Sequence, residues 1–172
     1  MKNLLILGAG TSGTMMANHL VKKLPRKEWQ ITIVDQFKTH YYQPGFLFLP
    51  FDIYSEDQVK KKGHKFIPKG VQYIQKKIEQ IFPEDNKVAL EDETLDYDIL
   101  IVATGSKIAP DEVEDLLGPL WHKDIFDFYT YEGALALRNK LRDWEGGQLV
   151  VHITEMPIQC PGAPLDFAFG AD

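Results

Sequence analysis

A chain of 172 residues with a single cysteine and a formal net charge of −6 cannot be a disulfide scaffold, and it lacks the basic surplus that a general phosphate-backbone binder needs, so nucleic acid is not expected as a partner. Its 44% hydrophobic and 26% charged residues are ordinary for a soluble globular protein. No run approaches the ~20 apolar residues that span a bilayer. The length suits one ordinary domain with a real core, since a chain this size buries roughly 70% of the surface its unfolded form exposes.

Leu4-Leu5-Ile6-Leu7 is a short apolar stretch that runs straight into glycines, unlike a secretory signal, so a cytoplasmic location is expected. The continuous apolar run 3–8 reads as a strand buried on both faces of a parallel sheet. A helix follows from Ser12 to Leu24, and Pro25 ends it. Gln30 to Asp35 is a second β-branched run closing on an acid. Strand, glycine turn, helix and strand make a right-handed βαβ unit.

His40 to Phe51 is aromatic and proline-rich without a helical or strand period, and it reads as a long ordered loop. Ser55 is placed to cap a short helix running to Lys62, whose lysine cluster, Lys60-Lys61-Lys62 with Lys65, is then a solvated helix end. Three β-prone segments, 71–74, 78–81 and 88–90, suggest an antiparallel meander inserted between parallel strands, with Pro83-Glu84-Asp85-Asn86 as a turn. Tyr97 to Gly105 is another buried strand ending at a glycine, and 110–121 is loop or linker. Tyr131 to Trp144 has helical spacing and is stopped by Gly146-Gly147. Gln148 to Thr154 reads as a further strand, and a helix is expected to begin near Pro164 and continue through Leu165-Asp166-Phe167-Ala168-Phe169-Gly170-Ala171-Asp172. The five histidines stand singly, so no metal site is expected.

The sharpest motif is Gly8-Ala9-Gly10-Thr11-Ser12-Gly13. A Gly-x-Gly-x-x-Gly pattern alone is weak, but here it follows a strand, opens a helix and precedes a strand ending in Asp35. The first glycine permits the tight turn, the second lets backbone approach a pyrophosphate, and the third allows helix to pack closely on strand. Free amides and the positive end of the helix dipole then hold phosphate. Thr11 and Ser12 either cap the helix or touch phosphate. Asp35, about 20 residues further on, with Gln36 beside it, is placed to accept ribose hydroxyls and to repel a 2′-phosphate.

The motif leaves FAD and NAD open. The meander and the Ala103-Thr104-Gly105 turn resemble the FAD domain of the two-dinucleotide-binding-domain flavoproteins. That resemblance implies an α/β fold: a Rossmann-like FAD-binding domain over 1–110, with a central parallel sheet and an inserted antiparallel β-meander, then a linker and the start of a truncated second α/β domain over 111–172. It also implies that Ala103, Thr104 and Gly105 pass the flavin pyrophosphate, and that Lys77 and Ile78 pass the adenine through their backbone.

After the expected strand 148–154 comes Glu155-Met156-Pro157-Ile158-Gln159-Cys160-Pro161-Gly162, which has no Gly-x-Gly and places prolines where backbone would have to approach a second dinucleotide. Cys160 stands just ahead of an expected helix start, where dipole and free amides favour a thiolate. The competing reading is an inert buried thiol. Pro161 or Pro164 suits a first helical turn.

Gly8 to Gly13, Asp35, His40-Tyr41-Tyr42-Gln43-Pro44-Gly45, Ala103-Thr104-Gly105 and Pro157 to Pro164 together resemble the N-terminal portion of the sulfide:quinone oxidoreductases. They resemble the flavoprotein subunit of flavocytochrome c sulfide dehydrogenase less closely. By that resemblance FAD is the cofactor, Cys160 is a redox cysteine that takes sulfide sulfur as persulfide, and quinone receives the electrons. His40 to Pro44 would lie over the flavin side, with Pro44 packing on the cofactor. Several family members carry another cysteine upstream, where this sequence has Asp127-Phe128-Tyr129. Family members also continue further, into the quinone site, the C-terminal elements that seat them peripherally on the membrane, and the rest of the second domain. A second class of reading is a catalytically inactive FAD or ADP-binding fragment, with the apolar Leu165, Phe167, Ala168 and Phe169 promoting association into a homo-oligomer. A third is an NADH-using flavoprotein such as a type 2 NADH dehydrogenase, against which the prolines after Thr154 argue.

Overall fold

The first apolar run forms β1 (Lys2–Leu7), and the glycine turn leads into α1 (Thr11–Lys23). β2 (Trp29–Val34) lies parallel to β1 in strict register, Leu4 opposite Ile31 and Leu7 opposite Val34. These elements come from a computed structural model of the protein, which describes residues 1–171; the final residue of the expected C-terminal helix, Asp172, lies outside them. β3 (Thr39–Tyr41) is followed by a 3-10 helix over Gln43–Phe48, then α2 (Glu56–Val59) and β4 (Lys60–Lys62). The remaining strands are β5 (Val71–Ile74), β6 (Ile78–Phe82), β7 (Lys87–Leu90), β8 (Thr94–Asp96) and β9 (Ile99–Val102). Two helices complete the chain, α3 (Tyr131–Arg142) and α4 (Ala163–Gly170).

The chain divides into two units. One holds 1–41 and 60–106; the other holds 42–59 and the chain from Lys107 onward. In the first, four parallel strands run in the order β5-β2-β1-β9. Alternate residues of the central strands feed two separate cores, as period-two geometry requires of a sheet covered on both faces. Leu4, Ile6, Ile31 and Ile33 pack with Ala17, Leu20, Val21 and Leu24 of the α1 segment. Leu5, Leu7 and Val34 face the other way, against Val88 and Leu90 of β7 with Ile78, Ile81 and Leu95 around them. The antiparallel sheet β6-β7-β8 is therefore the lid of the second face.

Four expectations need correction. The segment 71–74 is not part of the meander but the outer strand of the parallel sheet, paired with β2 from Ile31–Val71 to Val34–Ile74; the third meander strand is β8 instead. The stretch 40–51 is not loop throughout, because Thr39–Tyr41 pairs antiparallel with Lys60–Lys62 and Gln43–Phe48 coils into a 3-10 helix. Those pairings also overturn the lysine cluster as a helix end. At the start of α2 the Gln58 side chain accepts from both the N–H and the hydroxyl of Ser55, at 2.8 and 3.1 Å, which is the Gln half of a capping box without the serine half, and α2 ends after one turn. Finally, 148–154 takes no strand pairing among the described residues, because a strand exists only through the ladder of a neighbour and none is supplied there.

In the second unit, Thr130 caps α3 through Gly133 N–H, donated to Oγ1 at 3.0 Å. Asp127 supports that cap, its Oδ1 accepting from Thr130 N–H at 2.6 Å and Tyr129 N–H at 3.0 Å. Arg142 near the end of α3 grips Asp52 with two bonds, at 2.6 and 2.9 Å. The apolar face of α4 is only partly exposed: Phe167 is buried, stacked on Phe128 at 4.8 Å and packed against Phe51, whereas Leu165 and Phe169 face solvent. No helix among the described residues is long and apolar enough to cross a membrane.

Because Ile33 is fully buried at the centre of the α1-facing core, Ile33→Ala should destabilise the chain by about 2–5 kcal/mol, read as a lower urea midpoint with little change in slope.

Candidate functional site

The ends of β1, β2 and β9 meet the start of α1. Gly8 N–H donates to Val34 O at 2.8 Å and Ala103 N–H donates to Leu7 O at 2.7 Å, so the glycine turn is laced to both neighbouring strands as it leaves the sheet. The carboxyl end of a parallel sheet is where doubly wound folds place ligands.

The three glycines differ sharply in their surroundings. Gly8 has φ +96°, and a Cβ there would overlap the Ala103 carbonyl. Gly13 is buried, and its Cβ would run into the carbonyl of Gly8. Both are closed by protein. Gly10 has nothing within 4 Å of where a Cβ would stand. It is the N-cap of α1, with no side-chain cap bond and no acid in the first turn. The helix therefore presents uncapped amides and its positive end to an open, exposed position flanked by Thr11 and Ser12. Neither side chain caps the helix; Thr14 instead bonds back to the Gly10 carbonyl at 2.8 Å through Oγ1. An anionic group fits these residues, since of the three glycines only Gly10 borders free space and the first turn of α1 carries no acidic side chain.

Asp35 lies directly beside this turn, at the end of β2. Its Oδ2 accepts the Ala9 N–H at 2.6 Å, and its Oδ1 accepts the Phe37 N–H at 2.8 Å. Each carboxylate oxygen keeps a further lone pair for an incoming hydroxyl. Gln36 next to it is exposed. Sequence reading missed the other contact on Ala9: His40 Nδ1 lies 3.0 Å from the Ala9 carbonyl. The signal available was its place one step into a strand beside the turn, which is too weak to find it without coordinates.

Ala103, Thr104 and Gly105 follow β9. Ala103 packs under Gly8 and Gly13, while Thr104 and the left-handed Gly105 are exposed. Ile78 opens β6, where its side chain joins the core against Val88 and Leu90, leaving its backbone as the recognising part. Lys77 before it is exposed and bonds Glu79 at 2.9 Å, and that bond holds its ammonium above the ordinary lysine range. The structure thus brings the glycine turn, Asp35 and Ala103 together.

Pro44 and Cys160 belong to the second unit. Pro44 occupies the first turn of the 3-10 helix and is exposed. Cys160 is a free, exposed thiol, which removes the buried-thiol reading. It sits two residues before the Gly162 N-cap of α4, at φ 55°, and its carbonyl accepts the Ala163 N–H at 2.9 Å. Tyr129 hydroxyl donates to the Gln159 carbonyl at 2.7 Å, so the Asp127-Phe128-Tyr129 segment is held against the cysteine turn. Burial first, and then the charge of Cys160, push the Tyr129 phenol above its ordinary range; the neutral hydroxyl, the form that donates, is favoured. Among the described residues no group of three potential ligands could hold a metal ion.

Comparison with known proteins agrees with this geometry. The mitochondrial sulfide:quinone oxidoreductase of Dictyostelium discoideum is 29% identical over 163 residues, 94% of this chain and 36% of that protein. The type II NADH:quinone oxidoreductase of Staphylococcus aureus is 29% identical over 111 residues, covering 60% of this chain and 26% of its own. The solved sulfide:quinone oxidoreductase of Aquifex aeolicus superposes with a TM-score of 0.67 at 23% identity, over 83% of this chain and 32% of that one, which shows the shared α/β fold. The chain spans about a third of the length of the curated sulfide:quinone oxidoreductases it matches. The pyridine nucleotide-disulphide oxidoreductase family, whose members bind FAD, matches residues 2–151, and the chain belongs to that family.

Proposed function

We propose that this chain is the FAD-binding, cysteine-bearing part of a sulfide-oxidising flavoenzyme of the sulfide:quinone oxidoreductase type. The observation that carries the sulfide part is the exposed thiol of Cys160: a thiol that is to take up and release substrate sulfur must be reachable. The flavin part is supported by the open Gly10 and the uncapped start of α1. Uncapped amides of Gly10, Thr11, Ser12 and Gly13 would hold the diphosphate, and Asp35 with Gln36 the ribose. The backbone at Lys77 and Ile78 would border the adenine and Ala103 to Gly105 the pyrophosphate; Pro44, in the second unit, is a cofactor contact only by the family resemblance.

When bound, the flavin supplies a two-electron acceptor. The chain's own contribution is positional. Its helix end would offset diphosphate charge, Asp35 would select an unphosphorylated ribose, and Cys160 would carry sulfide sulfur as a persulfide, the two electrons lost in forming that S–S bond going to the flavin. Quinone as the final acceptor is supported by the similarity to sulfide:quinone oxidoreductases; operation at the cytoplasmic membrane surface and a homo-oligomer are further parts of the same proposal.

The second reading, an NADH-using flavoprotein, has support in the similarity to the Staphylococcus aureus enzyme. Against it stands the segment 155–162, where two prolines take the place of a second glycine turn.

Two measurements separate these readings and check the site. Gly10→Ala should leave apo stability within about 1 kcal/mol, because the position borders open space and its extended backbone suits alanine, yet it should lose FAD binding followed by flavin fluorescence quenching. Gly13→Ala should instead destabilise the chain by about 2 kcal/mol or more through overpacking. In a form of the protein that turns over sulfide, Cys160→Ser should retain the flavin spectrum and lose sulfide-dependent bleaching, while NADH bleaches neither. Bleaching by NADH would favour the second reading.

A further inference from the structure

We propose that His40 is a positioning residue for the dinucleotide cradle: through Nδ1–H it holds the Ala9 carbonyl and so fixes the Ala9–Gly10 peptide that carries the open Gly10 amide, while Asp35 holds the peptide before it. The inference rests on the flavin reading of the glycine turn, and it concerns a contact that the glycine motif itself does not contain.

Ala9 is buried and held on both of its polar atoms. Its N–H donates to Asp35 Oδ2 at 2.6 Å, and its carbonyl faces His40 Nδ1 at 3.0 Å. A carbonyl can only accept, so Nδ1 carries the proton and the neutral ring must be the Nδ1–H tautomer. In a planar trans peptide the carbonyl of one residue and the N–H of the next point in opposite directions. Turning the Ala9 carbonyl toward His40 therefore sets the direction of the Gly10 N–H. Gly10 is the residue that most needs this restraint. It has the freedom of a glycine, no Cβ contact within 4 Å and no side-chain cap on its helix, so without a donor for Ala9 O the peptide could rotate and offer a carbonyl where an anion expects an amide.

The imidazole is itself held in place. Its ring lies 4.3 Å from that of Phe66, centroid to centroid, and the Phe66 carbonyl accepts from Asn18 Nδ2 at 2.9 Å. Asn18 belongs to α1, whose Thr14 carbonyl the same amide group also contacts at 2.8 Å. The backbone of His40 is fixed by pairing with Lys61 in the β3–β4 ribbon. The helix that presents the amides and the histidine that aims them are thus tied by one continuous set of contacts.

Two substitutions separate the hydrogen bond from the ring packing. His40→Phe keeps an aromatic face for Phe66 and loses the donor; His40→Asn loses the ring and keeps an amide N–H near the Nδ1 position. With the full chain and FAD titrated by fluorescence quenching, His40→Phe should bind about fivefold to tenfold more weakly, the scale of one hydrogen bond, and His40→Asn should stay within about twofold of the parent. ¹⁵N NMR of the apo protein should find neutral His40 protonated at Nδ1, and the Gly10 amide resonance should shift in His40→Phe but not in His40→Asn. Wild-type affinity in His40→Phe, equal losses in both variants, or an Nε2–H tautomer would each overturn the proposal. A parent chain that binds no FAD while showing the Nδ1–H tautomer and the Gly10 shift would refute the flavin reading and leave the histidine contact standing.

Discussion

The first unit depends on a steric constraint: two points at which the backbone passes so closely that no Cβ fits. Gly13 of α1 lies on the carbonyl of Gly8, and Gly8 lies on the carbonyl of Ala103. This stack brings the helix, the first strand and the end of β9 into direct backbone contact, which larger residues would hold apart. The consequence is directional. With α1 pulled down onto the sheet, its amino end has one place to open, and that place is at Gly10. A motif that reads as three equivalent glycines is two glycines that close the fold and one that faces outward.

The rest of the unit makes that arrangement rigid. The central strands are buried on both sides, by α1 over Leu4, Ile6, Ile31 and Ile33 and by β7 over Leu5, Leu7 and Val34. A one-residue slip would exchange the two sets and leave neither core filled, so the in-register pairing of β1 with β2 and β9 is strongly specified. Asp35 and His40 act on this fixed frame. Each emerges just beyond a strand end or on a short strand, and each contacts the same residue, Ala9.

What could be read from sequence follows the same physics. β1, α1 and β2 were legible because each is an apolar or amphipathic segment bounded by glycine, proline or a turn; β9 was legible as a strand but not as a buried one, since Ile99–Val102 forms the edge of the sheet with Ile99 and Val102 exposed. β5 was misassigned to the meander because Val71-Gln72-Tyr73-Ile74 has β character without indicating its partner, and that partner, β2, lies some forty residues earlier. β4 was hidden for the opposite reason: three lysines carry no apolar alternation, and the strand exists through backbone pairing with Thr39–Tyr41. The segment 148–154 shows the converse, β propensity without a ladder. At the site, the glycines and Asp35 were visible as spacing. The bonds from Asp35 to Ala9 and Phe37 were only half visible: the contact two residues ahead is a local habit of aspartate, whereas the one to Ala9 depends on the parallel register.

The cysteine turn has its own local logic. A non-glycine residue at φ 55° costs about 1–2 kcal/mol relative to ordinary backbone, so something must over-determine the conformation of Cys160. Two bonds flank it: Tyr129 hydroxyl donates to the carbonyl before it, and Ala163 N–H donates to its own carbonyl. Neither uses the sulfur. The backbone is tied down on both sides while the thiol stays in solvent, so the conformation of the turn does not depend on the sulfur. Tyr129 thus makes the segment before α3 a brace for the cysteine turn. Cys160 is the single cysteine in these residues, so no internal disulfide can close among them.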